Sequence, residues 1–267
     1  MGAPQCAGAR LTSMAEPARR IDRIDTAPRF TADDVARLNA RFEGVPTQEV
    51  IRAVIAEGLL GRLAVVSSFG TESAVLLDLV AMVDPATPVI FLDTGKMFPE
   101  TLAYRDTLVE RLGLTGVRNV APEAATIEAK DATGLRWSYD PDGCCEIRKV
   151  LPLAAAMKDL DASITGRKGF QAATRANINR FELDGDRIKF NPLADWSKPD
   201  LDGWFEARQL PRHPLEAQGY LSIGCAPCTS VVKPGEDPRA GRWRGWDKVE
   251  CGIHGEPIVR PGEEPVF

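Results

Sequence analysis

The sequence predicts an α/β protein built on a doubly wound, mostly parallel sheet, and three observations predict it. Short segments read as strands recur at 63–66, 89–92, 117–120 and 162–165, each too short for a helix and all but 117–120 dominated by apolar or β-branched residues. Stretches with helical spacing of apolar residues separate the first three of them. The runs at 63–66, 89–92 and 162–165 lead into loops of small, hydroxylated or charged residues, where an open parallel sheet holds its ligands.

Taken in order, residues 1–30 are rich in Ala, Arg and Pro without a sustained period and read as a disordered tail. Thr31 is the expected N-cap of a first helix, with Asp33 and Asp34 behind it and Val35, Leu38 and Phe42 on one face. Thr47 is expected to cap a second helix, with Val50, Ile51, Val54 and Ile55 inward and Gly58 at its end. The strand at 63–66 runs into Ser67-Ser68-Phe69-Gly70-Thr71-Glu72-Ser73, and Val75, Leu76, Leu79, Val80 and Val83 then mark a buried helix. The strand at 89–92 ends in Asp93-Thr94-Gly95, and Pro99-Glu100-Thr101 opens another helix. After Gly143 a short helix is expected over 144–150, with Pro152 starting the next, because proline interrupts a helix interior. The strand at 162–165 feeds the loop from Gly166 to Arg175, Asp184-Gly185 marks a hairpin, and a helix is expected over 199–209. From Val231 onward Pro, Gly and charges appear without period. The organisation is a tail (1–30), one α/β domain (31–235) and a mobile C-terminal segment (236–267), with no internal repeat.

A length of 267 residues allows one substantial core, and 44% hydrophobic with 27% charged residues is ordinary for a soluble globular chain. A net charge of -5 provides no global basic field, which argues against a nucleic-acid partner. No apolar run approaches a membrane span and no signal-peptide core follows Met1, so no membrane association is expected. Four of the six cysteines fall in two tight groups, which suits a reducing cytoplasm better than a disulfide scaffold.

Those groups are Cys144-Cys145 and Cys225-Ala226-Pro227-Cys228. Four thiolates can close on zinc or on an iron–sulfur cluster. Vicinal cysteines are awkward for a mutual disulfide and unusual for zinc, but spacing alone leaves zinc, a cluster and redox thiols open. A thioredoxin-like dithiol needs a strand before it and a long helix after it, and Pro234 with two valines follows instead. The loop from Ser67 to Ser73 offers backbone N–H groups and a helix N-terminus to an anion, or is an ordinary turn; it lacks the Lys-Ser/Thr of a P-loop. Arg167, Lys168 and Arg175 follow a strand and suit phosphate or sulfate, and equally suit a solvated basic loop. Arg148 and Lys149 stand beside the cysteine pair, where they offset thiolate charge or lie on a helix surface. Cys251, between Lys248 and His254 in a polar segment, reads as a nucleophile or a bystander thiol. His213, before Pro214, reads as structural or peripheral to a pocket.

Together these stretches resemble the adenylyl-sulfate and phosphoadenylyl-sulfate reductases of sulfate assimilation, over roughly 47–257 and in the family's order. The resemblance rests on the Ser-Ser-Phe-Gly loop, Leu92-Asp93-Thr94-Gly95 with Phe98-Pro99-Glu100-Thr101, and Gly166-Arg167. It continues in Gly219-Tyr220-Leu221-Ser222-Ile223-Gly224, Gly241-Arg242-Trp243 and Glu250-Cys251-Gly252-Ile253-His254. It implies an adenine nucleotide alpha hydrolase-like fold, and the two cysteine pairs are the mark of the branch whose members hold a [4Fe-4S] cluster. Cys144, Cys145, Cys225 and Cys228 would be its ligands. Cys251 would attack the sulfate sulfur of adenylyl sulfate, expelling AMP, and thioredoxin or glutaredoxin would then release sulfite. Substrate contacts are implied for Ser67, Ser68, Phe69, Gly70, Thr71, Glu72 and Ser73, for Asp93, Thr94 and Gly95, and for Lys149, Arg167, Lys168, Arg175, Arg242 and His254. The phosphoadenylyl substrate, or use of both, is the alternative, and the sequence leaves room for a homo-oligomer.

Departures from the family pattern are Lys168 where many relatives carry Arg, which gives up bidentate geometry, and Glu146 after the cysteine pair. No thioredoxin-like domain follows Cys251 in this sequence, so the resemblance implies a separate dithiol donor. Ligases and thiolases of the same superfamily carry Ser-Gly-Gly-x-Asp-Ser in the first loop, which Ser67–Ser73 is not, and a non-catalytic sensor would have no use for Cys251.

Overall fold

The computed structural model describes residues 2, 28–171, 175, 177–248 and 250–253. Most of the expected N-terminal tail, and all of 254–267 with His254, lie outside the described residues. Six strands form one sheet in the order β3-β2-β1-β4-β6-β5. They are β1 (Leu63–Ser67), β2 (Val89–Leu92), β3 (Val117–Val120), β4 (Ala162–Thr165), β5 (Phe181–Asp184) and β6 (Arg187–Phe190). Every neighbouring pair is parallel except the β5–β6 hairpin, whose turn places Gly185 at a φ of 63°. β2 and β4 are buried along their whole length, which is why they read as unbroken apolar or small-residue runs.

Eight α-helices are described: α1 (Ala32–Arg41), α2 (Thr47–Ile55), α3 (Ser73–Ala81), α4 (Pro99–Leu112), α5 (Ala124–Asp131), α6 (Pro141–Cys145), α7 (Leu151–Met157) and α8 (Lys198–Arg208). Thr31 caps α1 in a reciprocal box with Asp34, as its position predicts. Thr47 does not cap α2. It is the first helical residue, behind Pro46, and its hydroxyl donates to the Pro192 carbonyl and accepts from Trp196 Nε1. α3 is buried from Ala74 to Val80. The one charge in that run, Asp78, accepts hydrogen bonds from Trp204 and Arg208 of α8, which fastens the two helices together.

The break expected at Pro152 is also corrected. α6 passes through a π-helical turn (Glu146–Val150) straight into α7, and Leu151 N–H reaches back to the Glu146 carbonyl. The wider turn accommodates Pro152, which has no N–H and would crowd the carbonyl four residues back. α5 is absent from the expectation because its only buried residue is Asp131, so no apolar stripe announces it. The main core is centred on the fully buried rings of Phe69, Phe91, Phe181 and Phe190.

Candidate active site

The connections from β1 and β4 diverge to opposite sides of the sheet, because β2 lies on one side of β1 and β4 on the other. Ligands bind at such a switch point, outside the carboxyl ends of the strands. A cavity of about 420 Å³ opens there, lined by Ser67 and Thr165 at the two strand ends. The sequence-expected Ser68, Gly70, Thr71, Glu72, Ser73, Lys149, Arg167, Lys168, Arg175, Arg242 and Cys251 all line it.

The loop after β1 is held from below. Phe69 adopts a φ of 49° and buries its ring edge-on against Phe91, with centroids 5.4 Å apart. Its side chain is therefore core and does not line the cavity. Ser67 Oγ accepts from Phe69 N, Ser73 Oγ donates to the Gly70 carbonyl, and Thr71 Oγ1 donates to the Leu221 carbonyl.

Asp93, Thr94 and Gly95 also lie outside the cavity wall and build the cysteine scaffold instead. Asp93 accepts from Gly95 N, and Thr94 is fully buried with Oγ1 3.2 Å from Cys225 Sγ. Met97 forms an antiparallel bridge with Cys225, and Ala226 N donates to the Lys96 carbonyl. From the other side, buried Arg148 donates to Asp131 at 2.6 and 3.0 Å and to the Thr94 carbonyl at 2.8 Å. One loop thus ties the segment carrying Cys144 and Cys145 to the segment carrying Cys225. Gly143, immediately before the pair, leaves room for the Arg136–Asp140 ion pair at 2.8 Å.

The cations divide into two sets. Arg167 donates to Glu182 at 2.6 Å, Lys168 to Glu72 at 2.9 Å, and Arg175 grips Glu250 through Nε and Nη2. The anion clamp expected from these three residues is thus already engaged with carboxylates. Lys149 and Arg242 have no carboxylate partner among the described residues, and Arg242 Nε is buried without any acceptor. Arg242 rests over the Trp243 ring, 4.3 Å from its centroid. Its place exists because residue 224 is glycine. A Cβ there would stand 2.5 Å from Arg242 Cζ and 2.7 Å from Nη1, and would overlap Nη2. Gly224→Ala should therefore displace the guanidinium and lower kcat/KM about 100-fold, with thermal unfolding changed little. Unchanged kinetics in a folded variant would remove Arg242 from the site.

Cys144, Cys145, Cys225, Cys228 and Cys251 are all free thiols, and the first three are buried. Burial and the neighbouring Cys145 and Cys225 push the Cys144 thiol up to about 12, and burial pushes Cys145 up to about 11. At Cys225 burial acts the same way, but the Lys149 ammonium, the Thr94 hydroxyl and Arg242 outweigh it and hold the thiol below its ordinary range. For Lys149, burial opposes the charge, while the sulfurs of Cys225, Cys251 and Cys145 more than restore it. Among the described residues no three His, Cys, Asp or Glu side chains close tightly enough for a single metal ion. Four unpaired sulfurs with buried cations beside them fit a larger thiolate-bound, negatively charged cluster.

The segment bearing Cys251 is seated at both ends. Before it, Glu250 accepts from Arg175 at 2.9 and 3.0 Å and from Arg239 at 3.1 Å. After it, Ile253 packs on the small cluster of Ala64, Ile90, Leu92, Leu153 and Met157. Lys248, expected near the Cys251 sulfur, pairs with Asp142 and lies over Trp243. Sequence reasoning assigned no role to Glu250, Arg239 or Glu216, all of which line the cavity. For Glu250 the signal was its place next to Cys251; the other two carried none.

A family model described as the phosphoadenosine phosphosulfate reductase domain matches residues 62–231. The chain belongs to that family. It is 48% identical over 241 residues to the adenosine 5'-phosphosulfate reductase of Mesorhizobium japonicum, covering 90% of this chain and 94% of that protein. It is 43% identical over 186 residues to the enzyme of the same name from Mycolicibacterium smegmatis, covering 68% and 78%. The phosphoadenosine 5'-phosphosulfate reductase of Gloeobacter violaceus is 40% identical over 210 residues, covering 76% and 87%. Among solved structures, the phosphoadenylyl-sulfate reductase of Candida auris in its phosphate complex matches with a TM-score of 0.65 at 25% identity, over 76% of this chain and 98% of that one. As a member of this reductase family the chain is an oxidoreductase. No helix among the described residues is long and apolar enough to cross a membrane.

Proposed function

We propose that this chain reduces adenylyl sulfate to sulfite and AMP through an S-sulfocysteine on Cys251, with a separate dithiol protein, thioredoxin or glutaredoxin, as reductant. The observation that supports the reading is the meeting of Cys251 with Lys149 and Arg242, cations without a carboxylate partner among the described residues, in the cavity at the sheet's switch point. The anionic phosphosulfate belongs against those cations. There the Cys251 thiolate attacks the sulfate sulfur in line, an S–S bond forms, and the S–O bond to AMP breaks. A thiolate of the reductant then attacks Cys251 Sγ and sulfite leaves with the electron pair. The second reductant thiol resolves the mixed disulfide, so the dithiol supplies both electrons. The segment around Cys251 must leave its seat for that second stage. Cys144, Cys145, Cys225 and Cys228 would hold a [4Fe-4S] cluster, which when bound supplies a rigid charged wall beside the anion site. Cysteine chemistry of this kind belongs in a reducing cytoplasm.

Adenylyl sulfate is favoured over its 3'-phosphorylated form on two grounds. Relatives named for the former are the more similar, at 48% against 40% identity. The basic residues beside the β1 loop are also committed to carboxylates, which leaves little for an extra dianion. With one thioredoxin, kcat/KM should be about tenfold or more higher for adenylyl sulfate. A ratio at or below unity would assign the phosphorylated substrate instead, and no sulfite from either would overturn the reductase reading.

A further inference from the structure

Glu72 closes the loop after β1 and stands directly before α3, which is buried from Ala74 to Val80, so its carboxylate is anchored to the core. Its Oε2 accepts from Lys168 Nζ and from Gln171 Nε2, both at 2.9 Å. The other end of the same amide, Gln171 Oε1, accepts from Arg175 Nη1 at 2.8 Å. Arg175 in turn holds Glu250 with its two remaining nitrogens, and Glu250 is the residue before Cys251. Three successive links, Glu72–Gln171, Gln171–Arg175 and Arg175–Glu250, therefore join the loop after β1 to the segment carrying Cys251. All four side chains line the cavity.

Gln171 is the neutral member of this chain of contacts, and its two neighbours explain why an amide stands there. A link between a carboxylate and a guanidinium must donate at one end and accept at the other, and an amide does both. A glutamate would accept from Arg175 but meet Glu72 with like charge; a lysine would donate to Glu72 but oppose Arg175. Turning the amide round would set its NH₂ against the guanidinium and its oxygen against the carboxylate, so the charges at both ends fix its orientation. Lys168 neutralises Glu72, and Arg239 adds a second cation to Glu250 at 3.1 Å, so opposite charges face each other at both ends. A polar network satisfied in this way behaves as a unit and holds its members in one geometry.

We propose that Gln171 is a positioning residue that sets the Cys251 segment in register with the loop after β1. The proposal rests on the reading that Cys251 attacks a nucleotide bound in this cavity, and it names what aligns the two. The place of the loop is given by α3, and the place of the Cys251 segment is then given through Gln171, Arg175 and Glu250. An in-line attack tolerates little misplacement, so a broken link costs rate rather than affinity. Gln171 acts through Arg175 and Glu250, not by holding the nucleotide.

The test compares wild-type holoenzyme with Gln171→Met, which keeps the length and loses both hydrogen bonds, and Gln171→Glu, which keeps the Arg175 bond and loses the donor to Glu72. The first measurement is rapid-quench formation of the Cys251 S-sulfo adduct at saturating adenylyl sulfate without reductant. Both variants should form it about tenfold more slowly, the scale of one charge-assisted hydrogen bond, while Kd for AMP stays within about threefold. The second is alkylation of Cys251 by iodoacetamide in nucleotide-free protein, read on its peptide by mass spectrometry. It should be about fivefold faster in both variants, because the segment leaves its seat more often. Combining Gln171→Met with Glu250→Gln should slow the adduct no more than about twofold beyond the slower single variant, since both break one chain of contacts. Either rate within about twofold of wild type in a folded variant would overturn the proposal, as would effects of the two substitutions that multiply. A loss of AMP affinity matching the loss of rate would make Gln171 a binding residue instead. Wild-type protein that forms no adduct on Cys251 would overturn the underlying reaction, and the alkylation rates would then still decide whether Gln171 holds the segment.

Discussion

Cys251→Ser should lower sulfite release by on the order of 10⁴-fold or more, because a hydroxyl at ordinary pH is a far poorer nucleophile than a thiolate. Affinity for AMP should change little. The grip of Arg175 and Arg239 on Glu250, and the packing of Ile253, both survive the substitution, so the segment stays seated and the cavity keeps its wall. Iron content and visible absorbance should match wild type, since Cys251 stands outside the proposed ligand set. The complementary measurement uses wild-type protein with adenylyl sulfate and no reductant, followed by digestion and mass spectrometry. The peptide containing Cys251 should gain one SO₃ group. An adduct on Cys225 or Cys228 instead would reverse the assignment of nucleophile and ligand.

The second large effect is expected at Cys225. This sulfur lies 3.2 Å from the Thr94 hydroxyl, on a residue bridged to Met97, and its thiol is held low by Lys149. Cys225→Ser should strip iron and brown colour from anaerobically purified protein and reduce sulfite release to background. It should also lower the thermal midpoint by several degrees, because a site that closes several chain segments no longer does so. Iron and absorbance are read independently of turnover, so loss of activity with full iron would point to a local packing role for Cys225. Wild-type protein carrying zinc and no iron would sink the cluster altogether.

The sheet was legible because its buried strands are continuous apolar or small-residue runs that end in loops of distinctive composition, as β2 and β4 show. Cap chemistry was legible where the side chain itself makes the cap, as at Thr31, and misleading where a hydroxyl was recruited elsewhere, as at Thr47. The helix through Pro152 escaped because a π turn, which has no sequence rule of comparable strength, absorbs the proline. In the site, residue types were readable but their state of engagement was not. Arg167, Lys168 and Arg175 look like an anion clamp on paper, yet Glu182 of β5 and the more distant Glu72 and Glu250 occupy them.

The two-ended seat of Cys251 bears on the order of events during turnover. Cys251 and the loop after β1 line a single cavity, so on the proposed reaction a bulky protein reductant and the nucleotide would compete for the same doorway. On the proposed reaction, the sulfonated segment swings outward only by releasing an ionic hold at Glu250 and an apolar hold at Ile253 together. On that reading the two half-reactions would be kept apart in time: the seated segment would shield the fresh S–S bond of the S-sulfocysteine from stray thiols, and the unseated one would let AMP drain before the next nucleotide enters. Such a gate would make the proposed reaction a two-stroke cycle, loading on the inner stroke and discharging on the outer, with both strokes set by the residues flanking one sulfur atom.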